Sequence, residues 1–144
     1  LSFADRNYIS NFILVFKSAS IINYVLAVLE KKETGLDDLV LLNHDKCVAE
    51  SISSNIYWFK SDVVYTPSLA TGCVGGVARM HILKTLTQQG VKCIEGQFTA
   101  DEILCADEVF LSNAVQGIRW VQEINGIYYK SQFAHFLQES AFGK

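Results

Sequence analysis

The sequence contains a single proline and no repeat, low-complexity tract or proline-rich linker. Nothing in its composition therefore divides the 144 residues into separate parts. A chain of this length can bury a sizeable core as one folded unit. We expect a single domain over residues 1–144.

Runs of basic residues and long apolar runs are also missing. Lysine and arginine number 12 against 15 aspartates and glutamates, which gives a net charge of −3, so no nucleic-acid partner is expected. The longest apolar stretches, "FILVF" and "YVLAVL", fall far short of the about 20 residues that cross a bilayer. No signal-peptide pattern is visible, and we expect a cytoplasmic protein without a membrane partner.

The cysteines lack the spacing of a metal site. They form no C-x-x-C pair and have no histidine at ligand spacing, so no zinc or other metal site is expected. Reduced, buried thiols are the expected state of Cys47, Cys73, Cys93 and Cys105. Half of all residues are apolar and only 19% are charged, which indicates that part of the surface meets another domain or subunit.

The apolar spacing predicts a mixed α/β chain, with many strands in a barrel-like arrangement and at least three helices packed outside. Helical spacing covers Ser18 to Lys32, "VARMHILKTLTQQ" up to Gly90, and the terminal "SQFAHFLQESAF". "TADE" has the capping-box pattern of a short helix.

Strands are predicted between these helices. The predicted hairpin turns are Ser61-Asp62 and Asn125-Gly126. The predicted strands are "NFILVFK", "DDLVLLN", the stretch that returns to Glu50, "NIYWFK", "VVYTP", "VKCIEGQF", "EVFLSNAV", "GIRWVQEI" and "IYYK".

One glycine-bearing turn, "TGCVGGVAR", opens the second long helix. The free amides of a helix's first turn form a natural anion site, and a phosphate is the usual guest. No Gly-Lys-Ser/Thr follows, so this is no Walker sequence. An ordinary loop that uses glycines to turn is the alternative.

Two charged residues are open to a similar choice of interpretation. Glu50 lies among apolar residues and is either a solvated edge residue or a buried carboxylate that needs a cation or hydrogen-bond donors. Lys17 ends an apolar run and is either a lysine at an element boundary or a desolvated amine able to act as a nucleophile. Pyridoxal phosphate would satisfy all three features, because its aldehyde binds a lysine, its pyridine nitrogen an acid and its phosphate a helix N-terminus.

Four ordered motifs carry a resemblance to a known family. They are Lys17 with the following "SASIINYVLA", then "AESISSNIYW", "YTPSLATGCVGGVAR" and "ADEVFLSNAVQGI". From about Ser10 to Ile124, the chain resembles the large domain of the fold-type IV pyridoxal-phosphate enzymes. That family includes aminodeoxychorismate lyase, D-amino-acid aminotransferase and branched-chain aminotransferase.

The resemblance implies four residues around the cofactor ring. Lys17 matches the Schiff-base lysine, which also acts as the general base, and Glu50 matches the acid that pairs with the protonated pyridine nitrogen. Ser53 matches a serine near the ring, and Val74 matches an apolar residue packed on one ring face.

It also implies four residues around the phosphate. Val77 and Ala78 match the pair whose backbone amides hold the phosphate, and Ser112 and Asn113 match a second phosphate-contacting pair. Many relatives have threonine where Ala78 stands, and many read Lys-x-x-Asn where this chain reads Lys17-Ser18-Ala19-Ser20. The family's small N-terminal domain, with an arginine that grips the phosphate, is not found in this chain.

By resemblance, we expect the large C-terminal domain of the D-amino-acid aminotransferase-like fold, in a homodimer that acts on a small amino substrate. The expected reaction is that of 4-amino-4-deoxychorismate lyase, which eliminates pyruvate to give 4-aminobenzoate for folate biosynthesis. A class IV aminotransferase acting on branched-chain or D-amino acids is the first alternative. A truncated or degenerate domain without catalysis is the second.

Overall fold

A computed structural model describes residues 8–9, 13–16, 29, 32–33, 38–43, 45–52 and 54–143. Eleven strands lie in this part of the chain: β1 (Tyr8–Ile9), β2 (Ile13–Phe16), β3 (Leu39–Leu42), β4 (Val48–Ser51), β5 (Asn55–Lys60), β6 (Val63–Pro67), β7 (Lys92–Gly96), β8 (Glu108–Asn113), β9 (Gly117–Val121), β10 (Glu123–Ile124) and β11 (Ile127–Tyr128). The same part contains three α-helices, α1 (Val77–Gln88), α2 (Ala100–Leu104) and α3 (Gln132–Phe142), and a 3₁₀ turn at Leu69–Thr71. The predicted helix from Ser18 to Lys32 falls mostly outside the described residues.

The larger sheet has six strands in the order β1-β9-β8-β5-β6-β7. Its central pairs are antiparallel, whereas β1 runs parallel to β9 and β6 runs parallel to β7. Helix α1 connects the parallel pair β6 and β7, as a crossover between parallel strands requires. The amino end of α1 therefore lies at the edge where β6 ends.

The smaller sheet has the order β2-β3-β4, with β2 parallel to β3 and β4 antiparallel to it. Leu41 pairs with Glu50, and the next residue, Leu42, pairs with both Phe16 and Val48 across an irregularity in register. The end of β2 and the carboxylate-bearing strand β4 are thus two strands apart, about 10 Å.

Both predicted hairpin turns are present. Ser61 and Asp62 have φ of 51° and 65°, and Asn125 and Gly126 have φ of 50° and 85°. Positive φ at both central residues matches the right-handed twist of the flanking strands, which is why such turns favour short polar residues and glycine. Each turn fixes the register of its hairpin.

Two helix ends lie where the sequence predicts them, but one predicted capping hydrogen bond is not formed. Helix α1 ends at Gln88, close to the predicted end at Gly90. Gly90 has φ of 71°, a left-handed conformation that glycine adopts easily after a helix. Helix α2 begins after Thr99, but the Thr99 side chain makes no capping hydrogen bond. The capping box predicted for "TADE" is therefore wrong, although the short helix is present.

Apolar side chains form two clusters, one on each face of the six-stranded sheet. One cluster joins the two sheets and contains Val40 and Val48 with Ile56, Trp58 and Leu111. The other lies under the two longer helices, where Tyr57 and Phe110 meet Ile82, Leu86 and Leu137. The observed class is the predicted mixed α/β fold, with the two longer helices packed against one face of the six-stranded sheet.

A buried ion pair also joins the two sheets. Asp38 is fully buried, and its Oδ2 lies 3.5 Å from Nη2 of Arg119 on β9. The backbone N–H groups of Leu39 and Ile52 and the hydroxyl of Ser51 donate to the same carboxylate. A buried carboxylate with a cation and three donors has its desolvation largely offset.

The four cysteines are free thiols, as expected, but they are not all buried. Cys73 is buried, whereas Cys105 is exposed at the end of α2, so the prediction of burial is wrong for Cys105. In the described ranges, no helix is long and apolar enough to cross a membrane.

Candidate functional site

Glu50 lies on β4 and reaches the loop that precedes α1. Its Oε1 accepts a hydrogen bond of 2.7 Å from the backbone N–H of Val74, a residue 24 positions along the chain. Burial raises the pKa of Glu50 above 4.5, and the Val74 hydrogen bond opposes this increase in part. Within the described residues, Oε2 of Glu50 has no hydrogen-bond partner, so this oxygen can accept a further donor or cation.

The amino end of α1 has free donors. Gly76 is the residue before the helix and contributes no side-chain cap, and no acidic residue lies in the first turn. Among the residues described here, the N–H groups of Val77 and Ala78 donate no hydrogen bond. The two amides predicted to bind an anion are therefore available at the positive end of a 12-residue helix.

Asn55, at the start of β5, positions the loop between these two features. Its Nδ2 donates a hydrogen bond of 2.8 Å to the carbonyl oxygen of Val74. Its Oδ1 lies 3.7 Å from the place that a Cβ at Gly76 would occupy. Sequence reasoning missed Asn55, because the only signal available was its place at the end of the motif "SISSN".

Arg79 belongs to the same glycine-bearing motif but does not point at the free amides. Its Nη2 donates to the carbonyl oxygen of Pro67 at 3.1 Å and forms an ion pair with Oε1 of Glu95 at 2.6 Å. Arg79 is buried, and its Nε has no partner in the part of the chain that the structure describes. Arg79 thus fastens the first turn of α1 to the ends of β6 and β7.

Ser112 and Asn113 end β8 beside Asn55. The strand register pairs Ser112 with Asn55, and the Ser112 hydroxyl lies 2.7 Å from the hydroxyl of Tyr57. The side-chain Oδ1 of Asn113 accepts hydrogen bonds from the N–H groups of Val115 and Gln116, and so closes the β8–β9 turn.

The amide nitrogen of Asn113 is also engaged, because it donates to the Ser54 hydroxyl and to the side chain of Gln116. The structure therefore places the predicted pair next to Asn55, which holds the loop before α1, and gives each side chain a protein partner.

Val74 lies in the loop before α1, with 65% of its surface exposed. Both of its backbone polar groups are held, the N–H by Glu50 and the carbonyl oxygen by Asn55. The exposed side chain is therefore fixed in position without being packed in the core. Val77 is exposed beside it.

Lys17 and Ser53 lie outside the described residues. Their neighbours along the chain are described. Strand β2 ends at Phe16, immediately before Lys17, and Ser54 follows Ser53 and accepts hydrogen bonds from Asn113 and Arg119.

Glu50, the Val74 loop, the start of α1 and the end of β8 form one connected region of hydrogen bonds and strand pairs. A half-buried carboxylate at one side and free helix amides at the other suit a ligand with a cationic nitrogen and an anionic group. In the described ranges, no cluster of histidine, cysteine or carboxylate side chains could hold a metal ion.

Comparisons with known proteins agree with this geometry. The sequence profile described as Amino-transferase class IV matches residues 5–124. The branched-chain-amino-acid aminotransferase of Pseudomonas aeruginosa is 34% identical over 105 residues, which are 73% of this chain and 34% of that protein. The aminodeoxychorismate lyase of Bacillus subtilis is 35% identical over 113 residues, which are 76% of this chain and 39% of that protein.

The fold is also found among solved structures. The branched-chain amino acid aminotransferase from Escherichia coli superposes with a TM-score of 0.84 at 22% identity, over 94% of this chain and 52% of that one. The chain thus spans well under half the length of the two curated relatives, although the family profile covers most of the chain itself. With four ordered motifs, the matching profile and the shared fold in agreement, the chain belongs to the class IV aminotransferase family.

Proposed function

We propose that this chain is the large, cofactor-binding domain of a pyridoxal-phosphate enzyme that acts on a small amino substrate. One observation carries the proposal: Glu50 is hydrogen-bonded to the loop that leads directly into α1. An acid and an anion-binding helix end are thereby held in one region, as this cofactor requires.

The residues present fit the phosphate and the ring. The amides of Val77 and Ala78 are free at the helix end, and Gly76 leaves space beside Asn55. Val77 and Ala78 would hold the phosphate through their backbone N–H groups, and Ser112 and Asn113 would line its other side. Val74 would pack on one face of the ring, with Ser53 near its edge.

Glu50 would hold a proton at the pyridine nitrogen. Its free Oε2 is the atom for this contact, because Oε1 is already bonded to Val74. Burial raises the pKa of the isolated carboxyl, and a cation at Oε2 reverses that effect by favouring the charged form. When bound, pyridoxal phosphate supplies an electron-withdrawing ring that acidifies the C–H bond beside the substrate's amino nitrogen.

Lys17 would bind the cofactor covalently through Nζ and, once released, move the proton at the substrate's Cα as general base. The test is reduction with borohydride in the presence of pyridoxal phosphate, followed by mass mapping. We expect the protein with bound cofactor to be yellow before reduction, and the cofactor to be attached to Lys17 after reduction. An adduct on another residue, or no adduct at saturating cofactor, would refute the assignment.

For the reaction, we propose that of 4-amino-4-deoxychorismate lyase, in which loss of pyruvate gives 4-aminobenzoate. A class IV aminotransferase is the second candidate, because the similar proteins include a branched-chain and a D-alanine aminotransferase as well as lyases. Incubation with 4-amino-4-deoxychorismate, and separately with a branched-chain or D-amino acid and a 2-oxo acid, separates the two. Release of 4-aminobenzoate and pyruvate supports the lyase, whereas amino transfer to a 2-oxo acid without 4-aminobenzoate supports the aminotransferase.

We further propose a cytoplasmic homodimer, in keeping with the apolar composition of the chain. A degenerate domain that binds no cofactor is the competing proposal. Titration with pyridoxal phosphate, read by absorbance, tests the competing proposal directly. Saturable binding with a covalent adduct on Lys17 contradicts it.

A further inference from the structure

Two buried hydroxyl groups meet between β5 and β8. Tyr57 on β5 is fully buried, and its ring stacks on Phe110 with centroids 5.0 Å apart. Ser112 on β8 is 1% exposed, and its Oγ lies 2.7 Å from the Tyr57 hydroxyl oxygen. At this distance the two groups share a hydrogen bond.

The two hydroxyl groups of Tyr57 and Ser112 carry one hydrogen atom more than their mutual hydrogen bond needs. Two hydroxyls carry two hydrogens, and only one of them can lie between the two oxygens. In the part of the chain described here, neither oxygen has a second hydrogen-bond partner. One buried O–H group therefore lacks an acceptor, and buried polar groups of this kind normally have one.

The chemistry of the two groups decides which hydrogen is spare. A phenol is a better hydrogen-bond donor than an aliphatic alcohol, so Tyr57 donates and Ser112 accepts. Burial raises the pKa of Tyr57 above its ordinary value, which keeps its hydrogen in place at all physiological pH values. The spare hydrogen is therefore that of Ser112.

The position of Ser112 indicates where this hydrogen can go. Ser112 is paired with Asn55, whose side chain holds Val74 and lies beside Gly76. The free amides of Val77 and Ala78 follow directly. An anion bound to those amides would provide the missing acceptor.

We propose that Tyr57 is a positioning residue of the anion site: its hydroxyl donates to Oγ of Ser112 and so directs the Ser112 hydrogen toward a phosphoryl oxygen at the amino end of α1. This inference rests on the proposed function. In this inference Tyr57 does not contact the ligand and acts only by orienting the hydroxyl of Ser112. The alternative is a purely structural bond that joins β5 to β8.

The experiment compares pyridoxal 5′-phosphate with pyridoxal, which lacks the phosphate, as ligands of the full chain. Tyr57→Phe keeps the ring on Phe110 and removes only the hydroxyl. We expect the dissociation constant of pyridoxal 5′-phosphate to rise about tenfold, the size of a lost hydrogen bond to a charged group, while that of pyridoxal changes less than about twofold. Ser112→Ala should give a similar loss, and the double variant no additional loss.

Tyr129→Phe is the matched control, because its hydroxyl donates to the carbonyl oxygen of Ile103 in α2 and not to a site residue. It should leave both dissociation constants unchanged, and thermal melting shows that each variant folds. If Tyr57→Phe weakens both ligands equally or neither, the inference is overturned while the proposed function stands. If the unmodified chain binds neither ligand, both are overturned. Competition by inorganic phosphate, weakened in Tyr57→Phe, is the independent measurement that supports the inference.

Discussion

Glu50→Gln is the substitution that tests the proposed chemistry with least disturbance to the structure. A glutamine has the shape of the glutamate, and its carbonyl oxygen can still accept the 2.7 Å hydrogen bond from the Val74 N–H. The loop before α1 therefore stays anchored. The substitution changes the other atom of the carboxylate, Oε2. An NH2 group takes its place, and this group donates hydrogen bonds and cannot accept one from a protonated nitrogen.

The magnitude follows from the charge that is lost. A carboxylate at hydrogen-bond distance raises the pKa of a cationic partner by about 1–3 units. This corresponds to about 1.4–4 kcal/mol, or a factor of about 10 to 1000. We expect kcat to fall by such a factor, because the pyridine nitrogen loses its proton for most of the time. KM should change much less.

Stability should respond in the opposite direction. The folded cofactor-free protein holds the Glu50 proton more tightly than the unfolded chain does, because burial raises the pKa above 4.5. The unfolding free energy of the wild type therefore falls as the pH rises from 4.5 through the raised pKa. Glu50→Gln lacks this fall, so its stability relative to the wild type should increase over that pH range.

The assay is steady-state turnover with the preferred substrate, together with urea unfolding of the cofactor-free protein at several pH values. Glu123→Gln on β10 is the control for the same chemical change at a position away from the site. Unchanged kcat in Glu50→Gln would refute the pairing with the ring nitrogen. A stability difference that is constant with pH would refute the argument from burial.

Three further predictions concern the rest of the chain. Asp38→Ala should lower the unfolding free energy by about 3–5 kcal/mol in urea denaturation, since it removes a fully buried carboxylate that pairs with Arg119 and accepts three hydrogen bonds; a loss below about 1 kcal/mol would contradict this. Gly72→Ala should cost about 1 kcal/mol in the same assay because φ is 95°, and no loss would show that the backbone shifts freely. Burial and the charge of Glu95 raise the pKa of Cys93 to about 11, so alkylation by iodoacetamide should be slow at pH 8 and rise toward pH 11. Glu95→Gln should move this rise to lower pH, and an unchanged profile would exclude its charge as a cause.

Local features of the fold could be predicted from the sequence. The turn at Ser61-Asp62 depends on residues that adopt positive φ, and the end of α1 depends on Gly90. Both effects act within a few residues, so the sequence carries them directly. The absent cap at Thr99 marks the limit, because a capping pattern allows a hydrogen bond and does not require it.

The candidate site could be predicted in its residue types but not in its contacts. Glu50 and Val77 were found through motifs, yet the bond from Glu50 to Val74 crosses 24 positions and depends on how the two sheets pack. The bond between Tyr57 and Ser112 crosses 55 positions and is set by the β5–β8 register. Asn55 has no pattern of its own, because a single polar residue at the start of a strand is common.

Arg79 has a consequence for the order in which the protein folds. Its guanidinium needs Pro67, 12 positions before it, and Glu95, 16 positions after it, and these residues meet only when β7 has joined β6. The first turn of α1 therefore reaches its final position only after that parallel pairing. Parallel pairing across a crossover is slow, because the connecting segment loses conformational entropy before the stabilising contacts between the strands form. We therefore expect the proposed anion-binding end of α1 to be complete only after β7 has been synthesised, so that a cofactor would be bound late.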